Sequence, residues 1–306
     1  MRIVSLLPSA TEICYALGLQ DSLVGVTHEC DYPPGAELKP VVVESCFPNN
    51  CKDMPPGEVD SKIAESIRTG TQIYRFKPGA LEAAKPDIIL AQGLCDVCAV
   101  PYRFVVEEIR KVRGNPQVMS LDPVDLTGIL TDIRRVGELC GKVDEAGEVV
   151  DKLEERVGEV AGPTRELPAA KRPRVAVIEW TDPIYVGGHW VPELIELAGG
   201  IDVLGVLGEP SKAVEWNAVI DSKPDVVIVA PCGFDLERAK GELPRLQALK
   251  GWSDLPAVIN GRVYFMDANA TLSRPGPRMV DALEDIAQIL HPEIFPCLIE
   301  ARRWGE

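Results

Sequence analysis

Between residues 144 and 161 the apolar positions Ala146, Val149, Val150, Leu153, Val157 and Val160 recur at steps of three, one, three, four and three. That rhythm places them along one side of a helix. The other side is charged, with Glu145, Glu148, Asp151, Lys152, Glu154, Glu155, Arg156 and Glu159. Gly141 is suited to end the preceding helix, Asp144 to cap this one and Gly162-Pro163 to stop it. The pattern therefore predicts a rod of about 18 residues, roughly 27 Å long. A rod of that length suits a link between two domains.

On either side of it, short apolar runs alternate with helical periods, the pattern of largely parallel sheets covered on both faces. Before the rod, strands are predicted at 2–7, 23–27, 87–91 and 117–120. Helices are predicted at 10–17 with Ser9 as its cap, 59–68, 78–84, 101–112 and 125–140. After the rod, strands are predicted at 174–179, 225–230 and 262–266. A loop over 180–189 and helices at 190–198, 214–221, 236–249 and 277–290 complete the second half. One internal echo relates the halves: Lys85-Pro86-Asp87-Ile88-Ile89-Leu90-Ala91 returns as Lys223-Pro224-Asp225-Val226-Val227-Ile228-Val229-Ala230. The expected fold is α/β: two Rossmann-like lobes, 1–141 and 163–306, joined by one interdomain helix over 142–162. Ligands of such sheets sit beyond the carboxyl ends of the strands, which predicts a cleft between the lobes.

Composition adds exclusions. A chain of 306 residues exceeds what a single core usually serves, and 46% hydrophobic with 26% charged residues is ordinary globular usage. The formal net charge of −15 without a basic stripe speaks against nucleic acid. No run approaches the roughly 20 apolar residues of a membrane span. The opening residues Met1 to Pro8 lack the long apolar core of a secretory signal, so a cytoplasmic location is expected for the chain as it stands. The alternative is an extracytoplasmic protein whose leader has been removed. Nine cysteines, an odd number in a chain this large, point to reduced thiols with a special use rather than to a disulfide framework. There is no phosphate-binding loop, dinucleotide fingerprint, nucleophile elbow or His-Glu-x-x-His, so no enzyme is expected.

Two groups of residues carry candidate chemistry. Residues 179–190 concentrate Trp180, Tyr185, His189 and Trp190, and wide aromatic faces with a few polar groups suit a large flat ligand. The competing reading places both tryptophans in the core, and His189 is either an axial metal ligand or a hydrogen-bonding residue. Arg274, in the polar loop entering the last helix, is either an anion contact or a solvated cation. In the first lobe His28 and Cys30 follow one strand, and Cys95 and Cys98 follow another. Four such donors suit zinc or an iron–sulfur cluster, while a redox dithiol and plain thiols remain open. Cys46 and Cys51 lie on a loop of the same lobe, and Cys14 and Cys140 are expected to pack inside helices.

The segments 2–12 (RIVSLLPSATE), 24–27 (VGVT), Lys85-Pro86-Asp87, Glu179-Trp180 and 260–264 (NGRVY) carry a resemblance. With these the chain resembles the cobalamin-binding branch of the helix-linked substrate-binding proteins of ABC transporters, over essentially its whole length. The resemblance implies a corrinoid, haem, siderophore or metal as ligand, cobalamin or a related corrinoid first, and an ABC permease as partner. The contacts expected for such a ligand are Trp180, Tyr185, Trp190 and Arg274 on one side and Tyr32 and Gln92 on the other. Such proteins present acidic residues to the permease; here the region after residue 91 is Cys-rich, with Asp96 the nearby acid. The rival is a cytoplasmic metal or iron–sulfur protein built on the same fold around His28, Cys30, Cys95 and Cys98.

Overall fold

The computed structural model describes residues 1–94, 100–110, 112, 114–296 and 302–303. Its elements gather into two α/β units, one of residues 1–123 and 130–150, the other of residues 124–129 and 151–306.

In the first unit, β1 (Ile3–Ser5), β2 (Leu23–Thr27), β3 (Val41–Ser45), β4 (Tyr74–Phe76), β5 (Ile88–Ala91) and β6 (Gln117–Ser120) form one sheet, ordered β4-β3-β2-β1-β5-β6. Neighbours run parallel except β3 and β4. Val4, Val42, Val43, Ile89 and Ala91 lie in the core, as expected of aliphatic strands covered on both faces. The chain leaves β1 for β2 and β3 on one side, then crosses to β5 and β6 on the other. The order thus reverses between β1 and β5, where open α/β sheets gather ligands at the carboxyl ends.

Helices α1 (Pro8–Ala16), α2 (Pro56–Thr69), α3 (Ala80–Ala84), α4 (Tyr102–Ile109) and α5 (Leu126–Cys140) belong to this half of the chain, the first turn of α5 counting with the second unit. The expected cap at Ser9 is not used. Pro8 takes the first helical turn, where a missing N–H costs little, Leu7 flanks it, and Ser9 is buried inside the helix.

The predicted rod is α6 (Val143–Arg165), 23 residues and about 35 Å. It runs past Gly162-Pro163, which sequence alone reads as a stop. Pro163 sits on the exposed side, where water can satisfy the carbonyl it leaves unpaired. The next residue, Thr164, is 1% exposed and donates to Leu197 O at 2.6 Å, and Arg172 donates to Thr164 O at 3.1 Å. Those two anchors carry the helix one further turn.

The second unit contains β7 (Arg174–Thr181), β8 (Ile184–Val186), α7 (Val191–Leu197), β9 (Ile201–Asp202), β10 (Lys212–Ala213), α8 (Trp216–Ser222) and β11 (Val226–Val229). After them come α9 (Leu236–Lys240), α10 (Leu243–Gln247), α11 (Pro256–Ile259), β12 (Val263–Phe265), α12 (Met279–Leu290) and the short β13 (Arg302–Arg303). The sheet order is β10-β8-β7-β11-β12-β13, with β9 also paired to β7. The β7, β11 and β12 neighbours are parallel, whereas β8 turns back against β7 as a hairpin. The helix expected over 236–249 is two, because Gly241 and Glu242 break it and Pro244 starts the second. The second part of α6 packs on α12, where Arg156 donates to Asp281 at 2.6 Å and to Glu284 at 2.8 and 2.7 Å.

Candidate ligand-binding site

The stretch expected as a loop over 180–189 is mostly a β-hairpin. Pairing runs Ile178 with Val186, then Trp180 with Tyr185 and Thr181 with Ile184, so β7 holds one more residue than β8 across that interval. The extra residue is Glu179, which makes this a β-bulge, a device that re-aims the side chain beside it. As cross-strand partners, Trp180 and Tyr185 present their rings to the same face of the hairpin, and both are half-buried.

The bulge is held from behind. Ser211 Oγ donates to Glu179 Oε2 at 2.5 Å, and Cys232 N–H donates to Glu179 O at 3.0 Å. Burial pushes the Glu179 carboxyl up to about 7; the Asp202 carboxylate adds to the rise, while the bonds from Ser211 and the Gly188 N–H oppose it. Burial also raises Asp202, whose Oδ1 accepts the N–H groups of Leu204 at 2.9 Å and Gly205 at 2.7 Å. Gly188 is required here, since a Cβ would stand 2.3 Å from Ser211 N and 2.6 Å from Glu209 O.

Trp180 is fixed by two contacts. Its Nε1 donates to Asp182 O at 3.1 Å, and its ring meets Phe234 edge-on at 5.4 Å between centroids. Phe234 is covered in turn by Arg238, whose guanidinium carbon lies 3.6 Å from the ring centroid. The hairpin turn itself is gripped by α10: Arg245 Nη1 donates to Asp182 Oδ2 at 2.7 Å and its Nε to Glu242 Oε2 at 3.2 Å. Thr181 Oγ1 donates to the same Glu242 oxygen at 2.7 Å.

Trp190 and Arg274 sit differently from Trp180. Trp190 is 7% exposed, donates Nε1 to Leu272 O at 3.0 Å, and carries the His189 ring stacked at 5.5 Å. His189 takes a left-handed backbone (φ 49) secured by its N–H on Glu209 O and by Gly208 N–H on its own carbonyl; burial lowers its imidazole. Arg274 is 4% exposed and donates Nη2 to Asn269 Oδ1 at 2.9 Å, so it is not the solvated cation that its loop suggests.

In the first unit, Tyr32 is 40% exposed on the loop after β2, and Gln92 follows β5 at 7% exposure. His28 Nδ1 lies 3.3 Å from Val43 O and its Nε2 3.1 Å from Glu29 Oε1. Cys30 is buried against hydroxyls, its Sγ 3.1 Å from Thr11 Oγ1 and 3.4 Å from Thr27 Oγ1. The two donors therefore engage different partners, and among the described residues no group of three or more His, Cys, Asp or Glu could hold a metal ion. Cys95 and Cys98, the other half of the expected metal set, lie outside the described residues, as do Asp96 and Cys297. Cys14 and Cys140 are buried in α1 and α5, and burial raises both thiols, Cys14 well above the usual range.

Ser211, Phe234, Arg238, Glu242 and Arg245 are absent from the sequence-level candidates. Their contacts with the hairpin span 32 to 63 positions, beyond any local pattern. The one advance signal was the echo, which places Cys232 and its neighbours just beyond the carboxyl end of β11.

Comparison with known proteins follows the same outline. A family model described as periplasmic binding protein matches residues 3–270. The uncharacterized ABC transporter substrate-binding lipoprotein YvrC of Bacillus subtilis is 24% identical over 299 residues, covering 96% of this chain and 81% of that protein. The vitamin B12-binding protein of Vibrio cholerae is 25% identical over 300 residues, covering 94% of this chain and 88% of that protein. Among solved structures, the periplasmic heme-binding protein RhuT of Roseiflexus sp. RS-1 in apo form superposes with a TM-score of 0.70. It is 24% identical and covers 96% of this chain and 98% of that one, which bears out the two-lobe α/β fold. YvrC is named as a lipoprotein and RhuT as a periplasmic protein, so they give the cytoplasmic expectation no support. No helix among the described residues is long and apolar enough to cross a membrane.

Proposed function

The chain belongs to the periplasmic binding protein family and is a substrate-binding protein of ABC transport, and we propose that its ligand is cobalamin or a closely related corrinoid. Proteins of this family bind solutes and hand them to an ABC permease; they are not enzymes. An extracytoplasmic place of action follows from that role, as the lipoprotein name of the Bacillus relative suggests. The B12-binding relatives favour a corrinoid, and the haem-binding neighbours make a porphyrin the competing chelate.

The observation that carries the reading is the Trp180–Tyr185 pair. Two half-buried rings share one face of a hairpin at the carboxyl end of the central strand, and a bulge and a hydrogen-bonded turn hold them there. Rigid aromatic faces capture a flat macrocycle with little ordering cost. In this reading Trp180 and Tyr185 touch the ligand, while Trp190 and Arg274 are buried and engaged with Leu272 O and Asn269.

The test is a visible-absorbance titration of the purified protein with cyanocobalamin and, separately, with haemin. A saturable shift of the corrinoid bands at one ligand per chain supports the proposal. Saturation with haemin alone would move the ligand to the porphyrins, and no shift with either would sink the chelate reading.

A further inference from the structure

We propose that Arg245 is a positioning residue for ligand capture: from α10 it sets the orientation of the Trp180 indole without touching the ligand itself. This rests on the reading that Trp180 meets the ligand.

The connection is continuous and short. Trp180 Nε1 is tied to the carbonyl of Asp182, so the indole can turn only as far as that peptide turns. Asp182 begins the hairpin turn, which projects past the last paired residues Thr181 and Ile184, so the ladders of β8 with β7 and β10 do not themselves hold the turn in one place. Arg245 supplies the hold, with one guanidinium nitrogen on the Asp182 carboxylate and another on Glu242. Glu242, only 13% exposed in its side chain, accepts in turn from the Thr181 hydroxyl. Thr181, Glu242, Arg245 and Asp182 thus close a ring that grips both residues following Trp180. A planar, forked donor is needed to reach two carboxylates from one side chain, which lysine cannot copy.

The arrangement is a poor device for stability. The Asp182 and Arg245 side chains are 50% and 37% exposed, and ion pairs in that setting contribute little to folding. Its geometry is better explained by what it points: the peptide that carries the indole's only hydrogen bond. Phe234 fixes the indole from the other side, so losing the Arg245 hold frees the ring to pivot against that edge.

The experiment uses the full chain labelled with 5-fluorotryptophan, which gives one fluorine resonance for each of five tryptophans, with Trp180 assigned by Trp180→Phe. Arg245→Gln is expected to shift or broaden the Trp180 resonance and leave the other four in place, with the melting temperature changed by less than about 2 °C. Cyanocobalamin binding is expected to weaken about tenfold in Arg245→Gln, and Arg245→Gln is expected to add nothing once Trp180→Ala is present. An unmoved Trp180 resonance overturns the positioning role, and so does a binding loss that is additive with Trp180→Ala. If Trp180→Ala binds cyanocobalamin and haemin as the wild type does, the ligand reading itself has failed; the fluorine spectrum of the unliganded protein then still decides whether Arg245 sets the indole.

Discussion

The two units are built alike at the amino ends of their sheets and differently at the carboxyl ends. In the first, Arg2 N–H donates to Asp87 Oδ2 at 2.8 Å and Asp87 N–H returns to Arg2 O at 2.8 Å. In the second, Arg174 N–H donates to Asp225 Oδ2 at 2.9 Å and Asp225 N–H returns to Arg174 O at 2.8 Å. Each arginine side chain caps the short helix before the motif, through Ala84 O in one case and Ser222 O in the other. Lys85 and Lys223 both end those helices in the left-handed region at φ 46, and the following proline prevents continuation. Past the strands the likeness ends. β1 passes through the Ser5 and Thr11 hydroxyl bonds directly into α1, whereas β7 continues into a hairpin bearing Trp180 and Tyr185. The repeated end builds the sheet, and the divergent end is free to carry a ligand.

The sharpest way to break this contrast is at Glu179, the bulged residue of the second unit's hairpin. Its carboxyl is raised from an ordinary value to about 7 by burial, so the folded state holds a proton that the unfolded chain releases near 4.5. A raised carboxyl stabilises the fold fully below the unfolded value, and that contribution is lost as pH climbs through the folded one. The loss between pH 4.5 and 7 is on the order of 3 kcal/mol at most. Glu179→Gln keeps an acceptor for Ser211 and removes the charge, so urea melts across that window should show a flatter slope than the wild type. Equal slopes in both proteins would mean that Glu179 is not the proton-holding group of the hairpin.

A smaller effect tests the likeness. Asp87→Ala and Asp225→Ala each remove the acceptor of one strand-end N–H at an exposed site, and each should cost about 1 kcal/mol. Corrinoid binding should be untouched in both, because each change lies at the amino end of its own sheet, whereas Trp180 lies at the carboxyl end of β7. Denaturant melts and the visible titration read the two quantities. A much larger cost in one unit, or a loss of binding in Asp225→Ala, would show that the repeated motif does more than close the sheet.

How much of this was readable in advance depends on range. The aliphatic runs Ile88–Ala91 and Val226–Val229, each behind Lys-Pro-Asp, carry strand and breaker within a few positions, and the fold followed from them. Trp180 and Tyr185 stood out as clustered aromatics. The strand β8 did not, because three residues between Asp182-Pro183 and Gly187-Gly188 resemble a loop until β7 pairs with them. β4 was missed for a similar reason, being a three-residue antiparallel edge. The groups that set the indole, Phe234 and Arg245, come from helices and loops whose neighbourhood is decided by tertiary packing. For Arg274 the sequence leaves an anion contact and a solvated cation open, because a polar loop of Ser, Arg, Gly and Pro gives no sign that Asn269 will meet its guanidinium in the interior.

The smallest expected effect sharpens the comparison within one element that both units share. Residues 143–150 of α6 count with the first unit and 151–165 with the second, and each part offers a mid-helix glycine with open space around it: a Cβ at Gly147 or Gly158 would meet nothing within 4 Å. Glycine inside a helix loses more backbone entropy on folding than alanine does, by roughly 0.5–1 kcal/mol. Gly147→Ala and Gly158→Ala should therefore each stabilise by about that amount, and the double variant by their sum, since eleven positions separate them. Thermal melts that raise the midpoint for both changes equally would mean that the two halves of the helix are ordered to the same degree when each unit unfolds. A gain at Gly158 alone would instead place the cooperative part of the helix with the second unit, whose Arg156 ties α6 to α12 and whose Thr164 carries it past Pro163.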